Sequence, residues 1–328
     1  MATRAYRLAG VAACVVGLWG TCAAAASPQA NYPSRPIRVI VPFSPGGGSD
    51  VLARLLGPRL SDRLVQPVVV DNRPAGSGIV GGEIVAKSRP DGHTLLLVFS
   101  SHAQSAQLFT RLPFDPVKDF APITLVISSP PGMMLHPALP ASTVKEFIAH
   151  AKVSPGKIIF GSSGPGSSPH LYTELFMSMA GVQMTHISYK GIAPVITAIL
   201  GNEVQFAFAN MFSTRSHWQA GRLRLVAHAG SKRLESMPDV PTVAESGVPG
   251  FEASNWWGYL APRKTPRPII DRLHKEITAV ASLPDLRQAL ISLGNDVVVN
   301  TPEEFSKVIQ ADAEKWGAIG RRLGIKLD

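Results

Sequence analysis

Short runs of β-branched and aliphatic residues alternate along the chain with segments whose apolar positions recur every three or four residues. Ile37–Val41 reads as a strand. Val51, Leu52, Leu55, Leu56 and Leu60 then line one face of a helix over 49–64. The pattern predicts further strands at 68–70, 95–100, 123–127, 157–160, 185–188, 204–208 and 223–229. Helices are predicted near 79–87 and over 143–152, 169–179, 193–200, 268–282, 286–293 and 302–323. Glu146, three residues after Thr143, marks a capping box at the start of the 143–152 helix. Strand–helix alternation with short loops implies an α/β fold with doubly wound, mainly parallel sheets. Its length suits two such domains. The proline-rich stretches at Ser129-Pro130-Pro131 and 238–249 are the expected crossings, so that residues 27–127 and 255–328 form one domain and 128–254 the other.

Composition narrows the class. With 328 residues, 45% of them hydrophobic, the chain can bury proper cores and is not a disordered protein. Arg4 and Arg7 precede an uncharged apolar stretch from Leu8 to a run of alanines ending at Ala26, the form of a cleavable export signal over residues 1–26. Cys14 is preceded by Val11-Ala12-Ala13 in the letters of a lipobox, but with too few apolar residues before it. Cleavage after Ala26 removes Arg4, Arg7 and both cysteines, Cys14 and Cys22, and lowers the formal charge from +9 to +7. An exported chain without cysteine has no disulfide, thiol catalysis or thiolate metal site. Its Lys and Arg are scattered, which argues against nucleic acid and for small anions as partners.

Four predicted strands end in loops of one physical kind, each opening a helix. The first carries Phe43, Ser44, Gly46, Gly47 and Gly48. The second carries Ala75, Gly76 and Ser77, and the third Ser163, Gly164, Gly166, Ser167 and Ser168. Tyr189 and Gly191 belong to the fourth. Glycine lets backbone approach a ligand closely, and the unpaired N–H groups at a helix start favour an anion. Ser168 is the expected N-cap, with Pro169 as the first helical residue. Ser101, just beyond the 95–100 strand, joins the candidate ligand-binding residues. Ligands in open α/β sheets sit beyond the carboxyl ends of the strands, where these loops lie.

Enzyme motifs are weak or missing. Gly76-Ser77-Gly78-Ile79-Val80-Gly81 fits the GxGxxG spacing, but no acidic residue ends the next strand. Neither a P-loop, a GxSxG elbow nor an HExxH pair occurs. His170 and His186 read as helix-start and core residues, and Trp256-Trp257 as either a stacking surface or a buried pair. No catalytic residue, cofactor or metal is expected.

The same motifs, in order over nearly the whole chain beyond residue 26, resemble the periplasmic substrate-binding proteins of the tripartite tricarboxylate transporter (Bug) family. The resemblance is carried by Pro42-Phe43-Ser44-Pro45-Gly46-Gly47 with Asp50 and Arg54, and by Asn72-Arg73-Pro74-Ala75-Gly76-Ser77-Gly78. Pro90-Asp91-Gly92-His93, Gly164-Pro165-Gly166-Ser167-Ser168-Pro169-His170, Tyr189-Lys190-Gly191 and Trp257-Gly258 continue it. It implies a type II periplasmic binding fold that closes on a carboxylate-bearing ligand, a monomer, and delivery to membrane permease subunits. It also implies that the first two loops hold one end of the ligand through backbone amides and water, and the last two the far end. A periplasmic sensor docking on a membrane kinase is the alternative use of such a fold. The family's Phe-Asp-Asn is here Phe208-Ala209-Asn210. An aspartate there would pair with a ligand ammonium, so Ala209 points to a mono- or dicarboxylate without an amine, cyclic or aromatic among the possibilities.

Overall fold

The computed structural model describes Met1 and residues 31–74, 78–104 and 106–327; the expected export signal, Met1 aside, lies outside them. From Pro33 onward the chain forms one contact unit built on two mixed sheets. In the first sheet β1 (Ile37–Val41) lies parallel to β2 (Val68–Asn72) on one side and β3 (Thr94–Phe99) on the other. Beyond β3, β10 (Asn255–Pro262) runs antiparallel between β3 and β4 (Phe120–Ser129), and the two-residue β11 (Asp296–Val297) closes that edge. The second sheet has the order β7 (Thr185–Ser188), β6 (Ile159–Ser162), β8 (Phe206–Asn210), β5 (Pro131–Leu135), β9 (Arg224–His228). Here β6 is parallel to β7 and β8, whereas β5 is antiparallel to both of its neighbours.

Each sheet therefore carries one reversed interior strand, β10 or β5, and each of these follows a passage of the chain from one sheet to the other. Only Pro130 separates β4 from β5, and residues 229–254 lead from β9 to β10. The sequence pattern predicts neither reversed strand. All five residues of β5 and all eight of β10 are buried, so neither shows the alternation of a one-sided strand. Pro131 sits at the first position of β5, where a strand tolerates proline. Gly258 is required inside β10, because a Cβ there would come within 2.4 Å of the Phe305 ring and 2.7 Å of the Thr124 carbonyl.

The helices follow their patterns closely. α1 (Gly48–Leu64) contacts β2 and α8 (Arg267–Ala281), which in turn contacts β4. α2 (Ile79–Ala86) and the first half of α10 (Pro302–Arg322) pack on Ile40, Leu96, Val98 and Leu260 through Val85, Phe305, Ile309 and Ala313. Thr143 caps α4 (Val144–Val153) by accepting the Glu146 N–H at 3.2 Å. The Glu146 carboxylate takes the Ser142 N–H rather than that of the cap, so the expected box is offset by one residue. A complete capping box stands instead at Thr301 and Glu304 of α10.

The second core is aromatic: Phe147, Phe176, Phe206, Phe208 and Phe251 pack ring against ring with α5 (Ser168–Ala180) beside β8. Removing one such ring costs about 3–5 kcal/mol. Trp316 and Leu327 belong to this second core, so α10 touches the first core with its early turns and the second with its end. α6 (Ile192–Leu200) covers Met134 and Ala207, and α7 (Met211–Gln219) starts at Asn210, whose side chain accepts the Ser213 N–H at 3.1 Å. The short α3 (Ser101–Gln104) follows β3, and α9 (Pro284–Ser292) precedes β11. Among the described residues no helix is long and apolar enough to cross a membrane.

Candidate functional site

The two longest glycine loops meet at the carboxyl ends of β1 and β6, and the helices they open both begin at one cavity. α1 has Gly47 as N-cap and α5 has Ser167, and in neither case does a side chain cap the helix start. The space between the facing side chains is about 30 Å³. Phe43, Gly47, Gly48, Ser49, Phe99, Ser101, Asn255 and Trp257 line it from the first sheet's elements. Pro131, Ser163, Ser167, Pro169, Tyr172, Ile192, Phe208, Ala209 and Asn210 line it from the second's. No charged side chain lines it among the described residues, which leaves the two helix N-termini as the features that favour an anion.

Of the expected site residues, Phe43, Gly47, Gly48, Ser101, Ser163, Ser167 and Ala209 line this cavity. Ala75, Gly76 and Ser77 lie outside the described residues. The others make contacts within the protein. Gly46 donates its N–H to the Asp50 carboxylate at 2.9 Å, and Gly166 donates its own to His170 Nδ1 at 3.2 Å. Gly164 exchanges hydrogen bonds with the Ser162 hydroxyl, its N–H donating and its carbonyl accepting, each at 3.1 Å. These backbone groups shape the loops and are already paired.

The expected N-cap is corrected. The helix begins one residue earlier than expected, so that Ser167 is the N-cap, Ser168 the first helical residue and Pro169 the second. The Ser168 hydroxyl is fully buried against that of Ser100, 3.0 Å away, while Ser167 faces the cavity. Tyr189 donates its backbone N–H to the Ser162 carbonyl and lays its ring beside Gly161.

Ser44 and Gly191 mark the seam between the first and fourth loops. The Ser44 hydroxyl donates to the Lys190 carbonyl. Gly191 has φ +120°, and a Cβ on it would lie 3.2 Å from Ser44 N, so this close approach needs glycine twice over.

Sequence reasoning missed Ser49, Phe99, Tyr172, Ile192, Asn210 and Asn255, which sit on strands or inside helices rather than in the glycine loops. Trp257 proves to be both buried and part of the wall: it is 1% exposed and donates its indole N–H to Ser49 Oγ at 3.1 Å. With Phe99 at 4.9 Å, Phe212 at 5.3 Å and Phe43 edge-on to Phe99 at 6.0 Å, it forms an aromatic cluster at the cavity. Among the described residues, Ser167 Oγ and Asn255 Oδ1 of the wall are buried without a hydrogen-bond partner. Ala209, 2% exposed at the end of β8, lines the cavity.

Charge sits behind this lining. Burial pushes the Asp50 carboxyl up, but hydrogen bonds from Arg54, Gly46 and Asn72 outweigh it and hold the group below its ordinary range. On the other side, the His170 ring stacks on His186 with centroids 4.4 Å apart. Burial and the neighbouring His186 push His170 down to about 4, and burial lowers His186 as well. Both imidazoles are therefore neutral at pH 7. Burial raises Glu174, whose Oε1 lies 3.5 Å from His170 Nε2. Nothing in this set forms a nucleophile with an activating base, and among the described residues no group of His, Cys, Asp or Glu could hold a metal ion.

Known proteins carry the same architecture. Protein BugT of Bordetella pertussis is 37% identical over 317 residues, covering 95% of this chain and 97% of BugT. Rpa4515 of R. palustris, solved with adipate, superposes with a TM-score of 0.87 at 32% identity over 90% of this chain and 99% of that one. MatC (Rpa3494) from Rhodopseudomonas palustris, solved with bound malate, gives 0.84 at 28% identity over 88% and 99%. The family model described as the tripartite tricarboxylate transporter family receptor matches residues 52–325. The chain belongs to that family of periplasmic solute-binding proteins.

Proposed function

We propose that the protein captures a small, amine-free carboxylate between its two sheets by closing on it, and hands it unchanged to the permease subunits of a tripartite tricarboxylate-type transporter. The observation that carries this is the convergence of two uncapped helix starts, α1 and α5, on a cavity without charged side chains. Such a site attracts one anionic group through backbone N–H groups and helix dipoles and offers no chemistry to convert it. Relatives solved with adipate and malate support a carboxylate. Ala209 at the wall supports the lack of an amine, because a ligand ammonium would meet no carboxylate there.

Closure is a population shift between open and closed forms, in which the ligand favours the form that touches it from both sides. The bending points are Pro130 between β4 and β5, the 229–254 passage and the body of α10, which divide the chain into 27–127 with 255–328 and 128–254. The Ser44 bond to Lys190 fastens the closed form. Residues 1–26 direct export to the periplasm and are removed, and the protein acts as a monomer.

Thermal unfolding of the exported protein with a panel of carboxylates and amino acids tests this. A ligand at about 100 times its dissociation constant adds about 2.7 kcal/mol, a shift of several degrees. Shifts from amine-free carboxylates alone are the expected result. Shifts from amino acids alone would remove the meaning given to Ala209.

A further inference from the structure

We propose that the ligand is an aromatic monocarboxylate bearing one neutral hydrogen-bond donor, a ring O–H or N–H, that is received by Asn255; this rests on the carboxylate-capture reading above. The lining makes the case in three steps. First, the walls are rings. Phe43, Phe99 and Trp257 stand on one side, Phe99 and Trp257 tilted 45° to each other, and Tyr172 and Phe208 stand on the other. Aromatic faces and edges reward a flat π-system beyond the area it buries. Second, no cationic side chain lines the cavity among the described residues. The second carboxylate of an aliphatic diacid would find at most the partial charge of the α1 start and no cationic side chain among these rings.

Third, Ser167 Oγ and Asn255 Oδ1 lack partners among the described residues, and their chemistry is complementary. Ser167 is 1% exposed at the N-cap of α5, and its hydroxyl, free of any capping bond, can donate to a carboxylate drawn to that helix start. Asn255 is 2% exposed at the head of β10, its backbone held in register with Ser129, and its Oδ1 can only accept. An amide oxygen buried without a donor is costly, so this position rewards a ligand that brings one. A bare aromatic acid would satisfy Ser167 and leave Asn255 unserved. A site built to pair with a ligand hydroxyl discriminates strongly against the analogue that lacks it.

Titration calorimetry of the exported protein with 3-hydroxybenzoate, 4-hydroxybenzoate, benzoate, adipate and malate decides the matter. The expected result is that one hydroxybenzoate binds about 10-fold or more tightly than benzoate, with both diacids weaker still. Asn255→Ala should cancel the advantage of the hydroxyl, bringing the affinity ratio of hydroxybenzoate to benzoate down to about one, a change in ratio that a general loss of structure would not produce. If that variant does not fold, the ranking on the wild-type protein decides alone. Benzoate binding as tightly as both hydroxybenzoates would overturn the role of Asn255. Adipate or malate binding more tightly than any ring acid would overturn the aromatic class and leave carboxylate capture standing. No binding by any of the five would bring down both.

Discussion

The first and third glycine loops solve one problem with different chemistry. In each, the N–H of a glycine with positive φ, Gly46 or Gly166, is tied by the side chain four residues later, in the first turn of the following helix. The tie is a carboxylate in the first loop and a neutral imidazole in the third. Asp50 is ionised, backed by Arg54, and held below its ordinary range, so it grips the loop at any ordinary pH. His170 accepts only while Nδ1 is unprotonated, and it is packed against a second imidazole. One loop is therefore fastened by charge and the other by the suppression of charge. Protonation reaches only the second.

The strongest way to break this pairing is to fill the first loop. A Cβ on Gly48 would lie 2.8 Å from Phe212 and 2.9 Å from Asn210 Nδ2. Gly48→Leu should cost about 100-fold or more in affinity, with about 1–3 kcal/mol lost in stability. Calorimetry and a denaturant melt separate the two, and a dissociation constant near that of the wild type would show that the first loop tolerates a side chain.

Acid should act on the third loop next. The pKa of His170 is about 4 in the folded chain against 6.5 in the unfolded one, so between these values the unfolded state binds the extra proton. Its contribution is whole above pH 6.5 and is lost as pH falls toward 4, by about 3 kcal/mol in all. His102, half-buried and also pushed down to about 4 by desolvation, adds a loss in the same window. Denaturant melts from pH 7.5 to 4.5 should show the fall, and His170→Gln should make it shallower. Asp50→Asn should leave the slope unchanged. An identical slope for wild type and His170→Gln would refute the contrast between the loops.

The adjacent serines offer a finer test. Ser167→Ala should weaken ligand binding by about 1–2 kcal/mol through the lost hydroxyl, read as a change in dissociation constant. Ser168→Ala should leave affinity intact and cost about 1 kcal/mol of stability, since its hydroxyl serves Ser100. Reversal of these two results would return Ser168 to the site. Smallest of all, Ser44→Ala removes one bond across the seam and should speed ligand release a few-fold, about 0.5–1.5 kcal/mol, in a stopped-flow displacement experiment.

Much of the site was legible as loops and little of it as atoms. A strand end followed by glycines and a helix start is a local pattern, so Gly47, Gly48, Ser163 and Ser167 could be found without tertiary information. Whether a loop N–H faces the cavity or is spent inside the loop depends on the side chain four residues on. Gly46 and Gly166 spend theirs inside the loop. Tyr172 and Asn255 carry no local signal, because they come from within a helix and from the head of a strand and meet the cavity only when both sheets are in place.

The sequence by itself determined the class of the fold, the helices other than α3 and α7, the parallel strands, and the kind of loop that opens a helix, because propensity, capping and glycine geometry act over a few residues. Tertiary structure alone decided the two reversed strands, buried on both faces and paired with partners far along the chain, as Asn255 is with Ser129. It also decided the neutral aromatic lining and the facing of Ala209 toward the cavity. These depend on which surfaces two sheets present to each other, and no short-range pattern encodes that.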